Sequence, residues 1–378
     1  MVARTGPDMK EDLHYQLALS MIPGIGGVTA KKLIAYCGGA EAVFREKPGQ
    51  LRRIPGIGEA IAATIKSADV FGRAEKEIGF IQKHGIRVLY YTDNDYPYRL
   101  KQCDDGPILL FLKGSHDLNK EKVVGIVGTR SITDYGRKKC KEFVEDLAKH
   151  NPLIISGLAY GVDACAHQAA LDNGLETLAV LGHGLDRIYP PLHTRLAKSI
   201  IKQGALVSDF ISGTKPDREN FPKRNRIIAG LCDVIIVVEA AVTGGALITA
   251  TIANSYNREV FALPGRTSDP YSMGCNRLIK HLKASLLESV ADIEYALSWQ
   301  AQAETKTTQR PLFVELKPEE KVIADILRDH AQASIDQLVK QSGFAPGKTA
   351  AILLNLEFME VVSQLPGKCF RLNNMHYS

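Results

Sequence analysis

The sequence lacks the features that mark several protein classes. Its seven cysteines are odd in number and no two stand in a Cys-x-x-Cys motif, which argues against a disulfide framework or a zinc site. The longest aliphatic run, residues 234–238, is far shorter than the roughly 20 apolar residues that cross a membrane. Residues 1–20 hold no apolar segment behind a basic start, so no signal peptide is expected. We therefore expect a cytoplasmic protein without metal or membrane.

A large excess of one charge is also missing. Lys and Arg number 47 and Asp and Glu number 42, and this mild basic excess permits a polyanionic partner without requiring one. Hydrophobic residues make up 45% and charged residues 24% of the chain, which excludes a disordered protein. A length of 378 residues predicts two or three domains.

The N-terminal part contains an internal repeat. The segment IPGIG at residues 22–26 recurs at residues 54–58, and both copies lead into helical stretches, 28–35 and 60–66. This pattern is typical of a tandem helix-hairpin-helix, or SAM-like, module, which we place at residues 1–84. Seven Lys and Arg face three Glu between Lys31 and Lys66. The hairpins could contact a phosphodiester backbone through free N–H groups, or they could serve as packing units, and the sequence leaves both readings open.

Residues 85–298 have a different texture, in which short aliphatic runs alternate with helical patterns. Near-continuous Val, Ile and Leu runs of this kind predict a parallel sheet with helices on both faces, an α/β Rossmann-like domain. The predicted strands are residues 122–128, 153–155, 177–181, 205–207, 234–238 and 260–263. Because each run ends in glycine or small polar residues, we expect binding loops along the carboxyl edge of the sheet.

A segment without large apolar residues follows, and residues 299–312 are predicted to form a linker. Residues 313–378 then show three helical segments (322–329, 335–340 and 345–356) and a β-hairpin (361–365 with 369–372), which resembles a winged helix. Between Lys317 and Arg371 seven basic residues face seven acidic ones, and the third helix carries only Lys348. This balance favours a protein contact or weak DNA contact over reading of a DNA duplex.

The first strand-end loop, residues 125–130, reads GIVGTR. It is not the dinucleotide fingerprint G-x-G-x-x-G, so NAD or FAD binding is disfavoured and no cofactor is expected. Its small residues let a phosphate approach the backbone and the next helix N-terminus, and Arg130 offers a planar fork to phosphate oxygens. Alone, the segment could equally be a strand-end turn with a surface arginine.

The second loop, residues 156–163, precedes a helix on which Asp163 and His167 stand four residues apart. This spacing permits a metal or acid–base pair, but no third ligand is placed by spacing, so structural hydrogen bonds are favoured. Ser156 lacks the G-x-S-x-G context of a nucleophile. We expect no catalytic residue here.

Two further segments carry phosphate-binding character. In residues 221–230, FPKRNRIIAG, three cations and an Asn precede an apolar helix, and a bound anion would offset the cost of that charge at a helix start. Phe221 could stack a base. The loop at residues 243–247, TGGAL, opens another helix whose first N–H groups are free.

Taken together, these motifs resemble the DprA, or Smf, family. The matching segments, in order along the chain, are residues 125–130, 156–167, 181–190, 221–230, 238–250, 260–265 and 274–280. The resemblance implies a dimeric Rossmann-like domain that binds single-stranded DNA, protects incoming DNA and helps load RecA recombinase during natural transformation, with no enzymatic turnover.

The resemblance also implies a set of contacts. The family's DNA-binding arginine falls on Arg130, its basic pocket on residues 223–226 and its phosphate loop on Gly244 and Gly245. The residues expected to contact DNA are Gly128, Thr129, Arg130, Ser156, Gly157, Phe221, Lys223, Arg224, Asn225, Arg226, Gly244, Gly245 and Asn276. Arg130 and the 223–226 cluster should meet at one edge of the sheet. One departure concerns residues 191–193, Pro-Leu-His, where many relatives have an Asn.

Two other functions compete with this reading. The central domain also resembles phosphoribohydrolases, which cleave nucleoside monophosphates and follow a Gly-Gly-x-x-Thr loop with a Glu that works on the ribose. No acidic residue follows Gly245 here before Glu259, and glycosidic cleavage needs a carboxylate at the sugar. The enzyme therefore ranks below the binding protein. A third reading is a duplex-DNA regulator that acts through its winged helix, and the neutral third helix counts against it.

Overall fold

The computed structural model describes residues 7–114, 117–299, 316–330, 332–359, 361–365 and 367–373. Contacts divide the chain into two compact units, Met1–Ala301 and Gln302–Ser378. The predicted linker, residues 299–312, lies outside the described residues except for Trp299, which is buried in the sheet core. Within the described ranges, no helix is both long enough and apolar enough to cross a membrane.

The described residues ahead of the sheet form helices only. They are α1 (Pro7–Ser20), α2 (Gly27–Cys37), α3 (Ala40–Arg45), α4 (Pro48–Leu51), α5 (Glu59–Ser67) and α6 (Phe71–His84). Helices α2 and α5 begin directly after the two IPGIG repeats, with Gly26 and Gly58 as extended N-cap residues. The isoleucines of both repeats are buried in one core, so the repeat builds the predicted helix-hairpin-helix pair.

A nine-stranded sheet follows. Its strands are β1 (Arg87–Tyr90), β2 (Leu109–Gly114), β3 (Val123–Val127), β4 (Leu153–Ser156), β5 (Thr177–Val180), β6 (Gly204–Ser208), β7 (Val234–Val237), β8 (Glu259–Ala262) and β9 (Ser285–Leu286). The order is β1-β2-β6-β5-β4-β3-β7-β8-β9. The strands from β6 to β9 in this order are parallel, whereas β2 pairs antiparallel with β6 and with β1. All six predicted strands are present; β1, β2 and β9 were not predicted.

Helices cover both faces of this sheet. They are α7 (Tyr98–Lys101), α8 (Asp134–Leu147), α9 (Val162–Asp172), α10 (Thr194–Gln203), α11 (Asn220–Leu231), α12 (Gly245–Ser255), α13 (Met273–Lys280) and α14 (Val290–Ala296). Neighbouring residues of one strand enter different cores: Ile154 packs with α8 and α9, and Ile155 with α11 and α12. This alternation is the strand period of two with both faces buried, and it confirms the predicted Rossmann-like fold.

Contacts from the N-terminal helices hold them against the sheet domain. Glu77 of α6 is buried and accepts hydrogen bonds from the backbone N–H and the hydroxyl of Ser212, while Arg73 pairs with Glu77 at 2.9 Å. Lys31 of α2 donates to the carbonyl oxygens of Cys103 and Asp104 at 3.0 and 3.2 Å. The first hairpin is thus engaged with protein, which favours the packing interpretation for that copy.

The second unit is a small mixed domain. It contains α15 (Pro318–Asp329), β10 (Ala333–Ser334), α16 (Ile335–Ser342), α17 (Pro346–Phe358), β11 (Val362–Leu365) and β12 (Cys369–Leu372). The strands form an antiparallel sheet in the order β10-β12-β11. Ile323, Leu338 and Leu356 join the three helices in one core. The predicted winged helix is confirmed, with β10 as an additional short strand.

Candidate nucleic-acid interface

The carboxyl edge of the sheet has its topological switch point between β3 and β7. From β3 the chain continues through β4, β5 and β6 on one side, and β7, β8 and β9 lie on the other. Open α/β sheets bind ligands in the crevice at such a point. The loops that follow β3 and β7 meet there, because the Thr129 N–H donates to the Glu239 carbonyl oxygen at 2.7 Å. Arg130 follows at once and is exposed.

The exposed guanidinium of Arg130 is supported by an aromatic ring. Its central carbon lies 5.4 Å from the ring centroid of Phe221, a cation–π contact between the loop after β3 and the first turn of α11. Phe221 is half-buried, and its ring centroid also lies 6.1 Å from that of Tyr189. The structure therefore brings Phe221, at the start of residues 221–230, beside Arg130 and leaves the cation open to solvent.

The cations of residues 223–226 lie inside α11, not before it. The helix begins at Asn220. Pro222 then falls in the first turn, where its missing N–H costs no hydrogen bond, so the helix tolerates it. Lys223 is exposed. Arg226 is partly buried, pairs with Asp209 at 2.6 Å and donates to the Asp105 carbonyl oxygen.

Arg224 is buried beneath the loop that follows β4. It donates to the Val180 carbonyl oxygen, and a Cβ on Gly157 would collide with its Nη1 atom, so any larger residue at 157 would displace the Arg224 guanidinium. Burial lowers the pKa of Arg224 to about 10, with the Asp163 carboxylate acting in the opposite direction. Arg224 stays charged at neutral pH but is held by protein groups. Of the three predicted cations in α11, Lys223 is the one that faces solvent.

Asp163 and His167 make structural hydrogen bonds. Asp163 accepts from the Ala159 N–H at 3.2 Å; burial raises its pKa and Arg224 opposes the shift. The Thr177 hydroxyl donates to the Ile154 carbonyl oxygen, so the Nδ1–H of His167 must donate to Thr177, at 2.7 Å. Burial lowers the pKa of His167 to about 3 and keeps the ring neutral. Among the described residues no group of three possible ligands could hold a metal.

The other predicted side chains at this edge also bind protein groups. Ser156 is buried and donates to the Ile126 carbonyl oxygen at 2.6 Å. Asn276 uses both ends of its amide on the backbone of Gly265, at 2.9 and 3.2 Å. Half-buried Gly128 and Thr129 form the turn beside Arg130. These residues shape the loops around the edge.

The two helix starts at the switch point differ. At α8, Thr133 caps the Gly136 N–H at 3.1 Å, and the buried carboxylate of Glu239 accepts from the Thr133 N–H at 2.9 Å. A protein carboxylate thus occupies the place where a phosphate was expected after residues 125–130. The sequence did not identify Glu239. Its one indication there is that this acidic residue ends the apolar run of residues 234–238.

Helix α12 starts without such a carboxylate. Gly244 and Gly245 are exposed, the N-cap makes no side-chain hydrogen bond and the first turn contains no acidic residue. The Asn225 amide donates to the Gly245 carbonyl oxygen at 3.3 Å and so joins this loop to α11. Free N–H groups at a helix start bind anions. The α12 start therefore presents backbone N–H groups that neither a capping side chain nor an acidic residue of the first turn engages.

Three family models match the chain. They are DNA recombination-mediator protein A over residues 87–298, the DprA winged helix domain over residues 307–368 and a SAM-like helix-hairpin-helix tandem over residues 17–68. Protein Smf of Synechocystis sp. is 35% identical, over 93% of this chain and 97% of its own. DNA processing protein DprA of Streptococcus pneumoniae is 43% identical, over 53% of this chain and 71% of its own.

Solved structures agree with the sequence matches. The X-ray structure of DprA from Streptococcus pneumoniae superposes with a TM-score of 0.64 at 36% identity, covering 74% of this chain and 95% of that one. DNA processing protein A from Helicobacter pylori superposes with a TM-score of 0.51 at 28% identity, covering 57% of this chain and 96% of that one. The latter structure was described for its single-stranded DNA binding mode.

Proposed function

The chain belongs to the DprA, or Smf, family of DNA recombination-mediator proteins, and on that premise we propose that it binds single-stranded DNA in the cytoplasm. In this proposal the protein takes part in DNA processing, protects incoming DNA and helps load RecA recombinase during natural transformation. The observation that carries the DNA-binding proposal is the exposed Arg130 on Phe221 at the sheet switch point. A relative described for its single-stranded DNA binding mode supports the same ligand.

The geometry of the edge suits a single strand. Arg130 offers a bidentate fork for one phosphate, the α12 start at Gly244 offers backbone N–H groups for another, and exposed Lys223 adds a further positive charge. Phe221 presents an aromatic ring, and bases are free to stack only when they are not paired in a duplex.

We propose that the winged helix contributes little to DNA binding. Its third helix, α17, contains Lys348 as the only Lys or Arg, and that ammonium pairs with Glu319 of α15 at 2.6 Å. A helix whose single cation is already paired attracts phosphates weakly. We therefore place the single strand on the Rossmann-like domain.

We also propose that the protein forms a homodimer through its Rossmann-like domain. The support is three exposed apolar side chains: Leu282 just before the edge strand β9, Leu286 in β9 and Tyr295 in the following helix α14 are 93%, 41% and 88% exposed. Exposed apolar side chains beside an open strand edge are typical of an interaction surface.

Single-stranded DNA is expected to bind more tightly than a duplex of equal length, in a salt-dependent way. Each phosphate neutralised on a single strand releases counterions and contributes a slope of about −0.7 to log affinity against log salt. The measurement is a salt titration of fluorescence anisotropy with both DNA forms. A clear preference for the duplex would overturn the proposal.

The phosphoribohydrolase alternative requires a carboxylate that is free to act on the ribose. Glu239 is the acidic residue at the switch point, and Thr133 and the start of α8 engage it. Incubation with nucleoside monophosphates is therefore expected to release no free base, as followed by chromatography. Base release that is lost in a Gly245→Val variant would support the enzyme instead.

A further inference from the structure

The segment of residues 191–193 contacts the loop after β4 at the carboxyl edge of the sheet. The Nδ1–H of His193 donates to the Leu158 carbonyl oxygen at 2.8 Å, which anchors the segment on the loop after β4. The His193 ring lies 5.1 Å from the ring of Tyr160, edge to face at 68°. Tyr160 is 41% exposed, so the pair presents an aromatic surface to solvent.

This pair continues the surface around Arg130. The loop that carries Tyr160 is held against the Arg130 loop, since the Val162 N–H donates to the Thr129 carbonyl oxygen at 3.1 Å. Four residues before His193, Tyr189 is 42% exposed, and its ring is 6.1 Å from that of Phe221. We call the four rings of Tyr160, His193, Tyr189 and Phe221 the aromatic rim. It borders Arg130 on the β4–β5 side of the switch point.

We propose that Tyr160, Tyr189 and His193 of the aromatic rim stack unpaired bases of a nucleic-acid strand whose phosphate lies on Arg130. This proposal rests on the proposed function, to which it adds a base-binding surface. Tyrosine and histidine rings beside a phosphate-binding arginine are what a single strand requires, since every base has a π-face. Tyr160 and Tyr189 are 41% and 42% exposed, so their rings are accessible to a base. An apolar protein partner would use the same surface, and the experiment separates the two.

The test compares an oligothymidine with an abasic oligodeoxynucleotide of the same length, which keeps the phosphates and lacks the bases. Tyr160→Ala and Tyr189→Ala are each expected to weaken oligothymidine binding by roughly fivefold to a hundredfold, the usual range for one stacked base. Neither should change binding of the abasic strand. Tyr160→Phe and Tyr189→Phe keep the ring and should bind as the unmodified protein does. His193→Asn keeps an N–H for Leu158 but loses the ring, and should weaken oligothymidine binding alone.

Two controls accompany these variants. Tyr36→Ala removes a tyrosine that is 63% exposed on α2 and should bind both strands normally. Arg130→Ala should weaken binding of both strands. Equal losses of affinity for both strands would overturn the proposal that the aromatic rim stacks bases, and leave the proposed function standing. Unchanged oligothymidine affinity in folded Tyr→Ala variants would do the same, provided that the unmodified protein binds DNA. If the unmodified protein bound neither strand, the proposed function would fail as well.

Discussion

Arg130→Ala is expected to weaken single-stranded DNA binding roughly tenfold to a hundredfold, which corresponds to the loss of one hydrogen-bonded charged contact. The guanidinium is exposed and makes a cation–π contact with Phe221, and the described part of the chain gives it no carboxylate partner. The slope of log affinity against log salt should flatten by about one phosphate contact. Arg130→Glu should bind still more weakly, because repulsion replaces attraction. Anisotropy at two salt concentrations measures both quantities.

Matched variants show whether the loss belongs to Arg130. Lys348→Ala, in the winged helix, removes an ammonium already paired with Glu319 and should leave affinity nearly unchanged. Lys223→Ala should give a smaller loss with the same sign, since Lys is a point charge without the arginine fork. A folded Arg130→Ala protein with unchanged affinity and slope would place the strand elsewhere.

Arg224 is the residue for which the sequence-based prediction and the structure differ most. The sequence predicts a phosphate contact for every cation of residues 223–226, yet Arg224 is 4% exposed and donates to the Val180 carbonyl oxygen. Position in the motif could not reveal this, because the groups that engage Arg224 and Arg226 come from β5 and from residues 105 and 209, far along the chain. Only the fold decides which side of α11 faces protein.

The strands were predictable for a physical reason. In a sheet buried on both faces each parallel strand must be apolar throughout, and a run such as residues 234–238 cannot be mistaken for a surface element. Strands β1 and β2 were missed although residues 109–112 are apolar. Strand β1 pairs with β2, and β2 joins the sheet through antiparallel pairing with β6, a partner far along the chain. Glu239 was missed for a related reason: its role is set by Thr133 of another loop.

The amino edge of the sheet, opposite the carboxyl edge that carries Arg130, contains a buried ion pair. Arg99 of α7 donates to both carboxylate oxygens of Asp233 at 2.6 and 2.8 Å, and their side chains are 3% and 7% exposed. Asp233 also accepts from the Val123 N–H at 2.9 Å. Arg99 further donates to the carbonyl oxygens of Lys120 and Glu121 at 3.0 and 2.8 Å. The pair therefore joins α7 to the starts of the two central strands.

Asp233→Ala is expected to lower the free energy of unfolding of the sheet-containing unit by about 3–5 kcal/mol, because it leaves a buried guanidinium without its counter-charge and an N–H of β3 without its acceptor. Denaturant unfolding measures the loss. Asp95→Ala is the matched control: its ion pair with Arg87 is of similar length, 2.6 Å, but the Asp95 side chain is 67% exposed. Exposed pairs contribute about 0–1 kcal/mol. Since Asp233 lies at the far end of the strands from Arg130, the folded fraction of Asp233→Ala should bind single-stranded DNA normally. A loss below about 1 kcal/mol would contradict the prediction and show that the buried guanidinium finds water or another acceptor in place of Asp233.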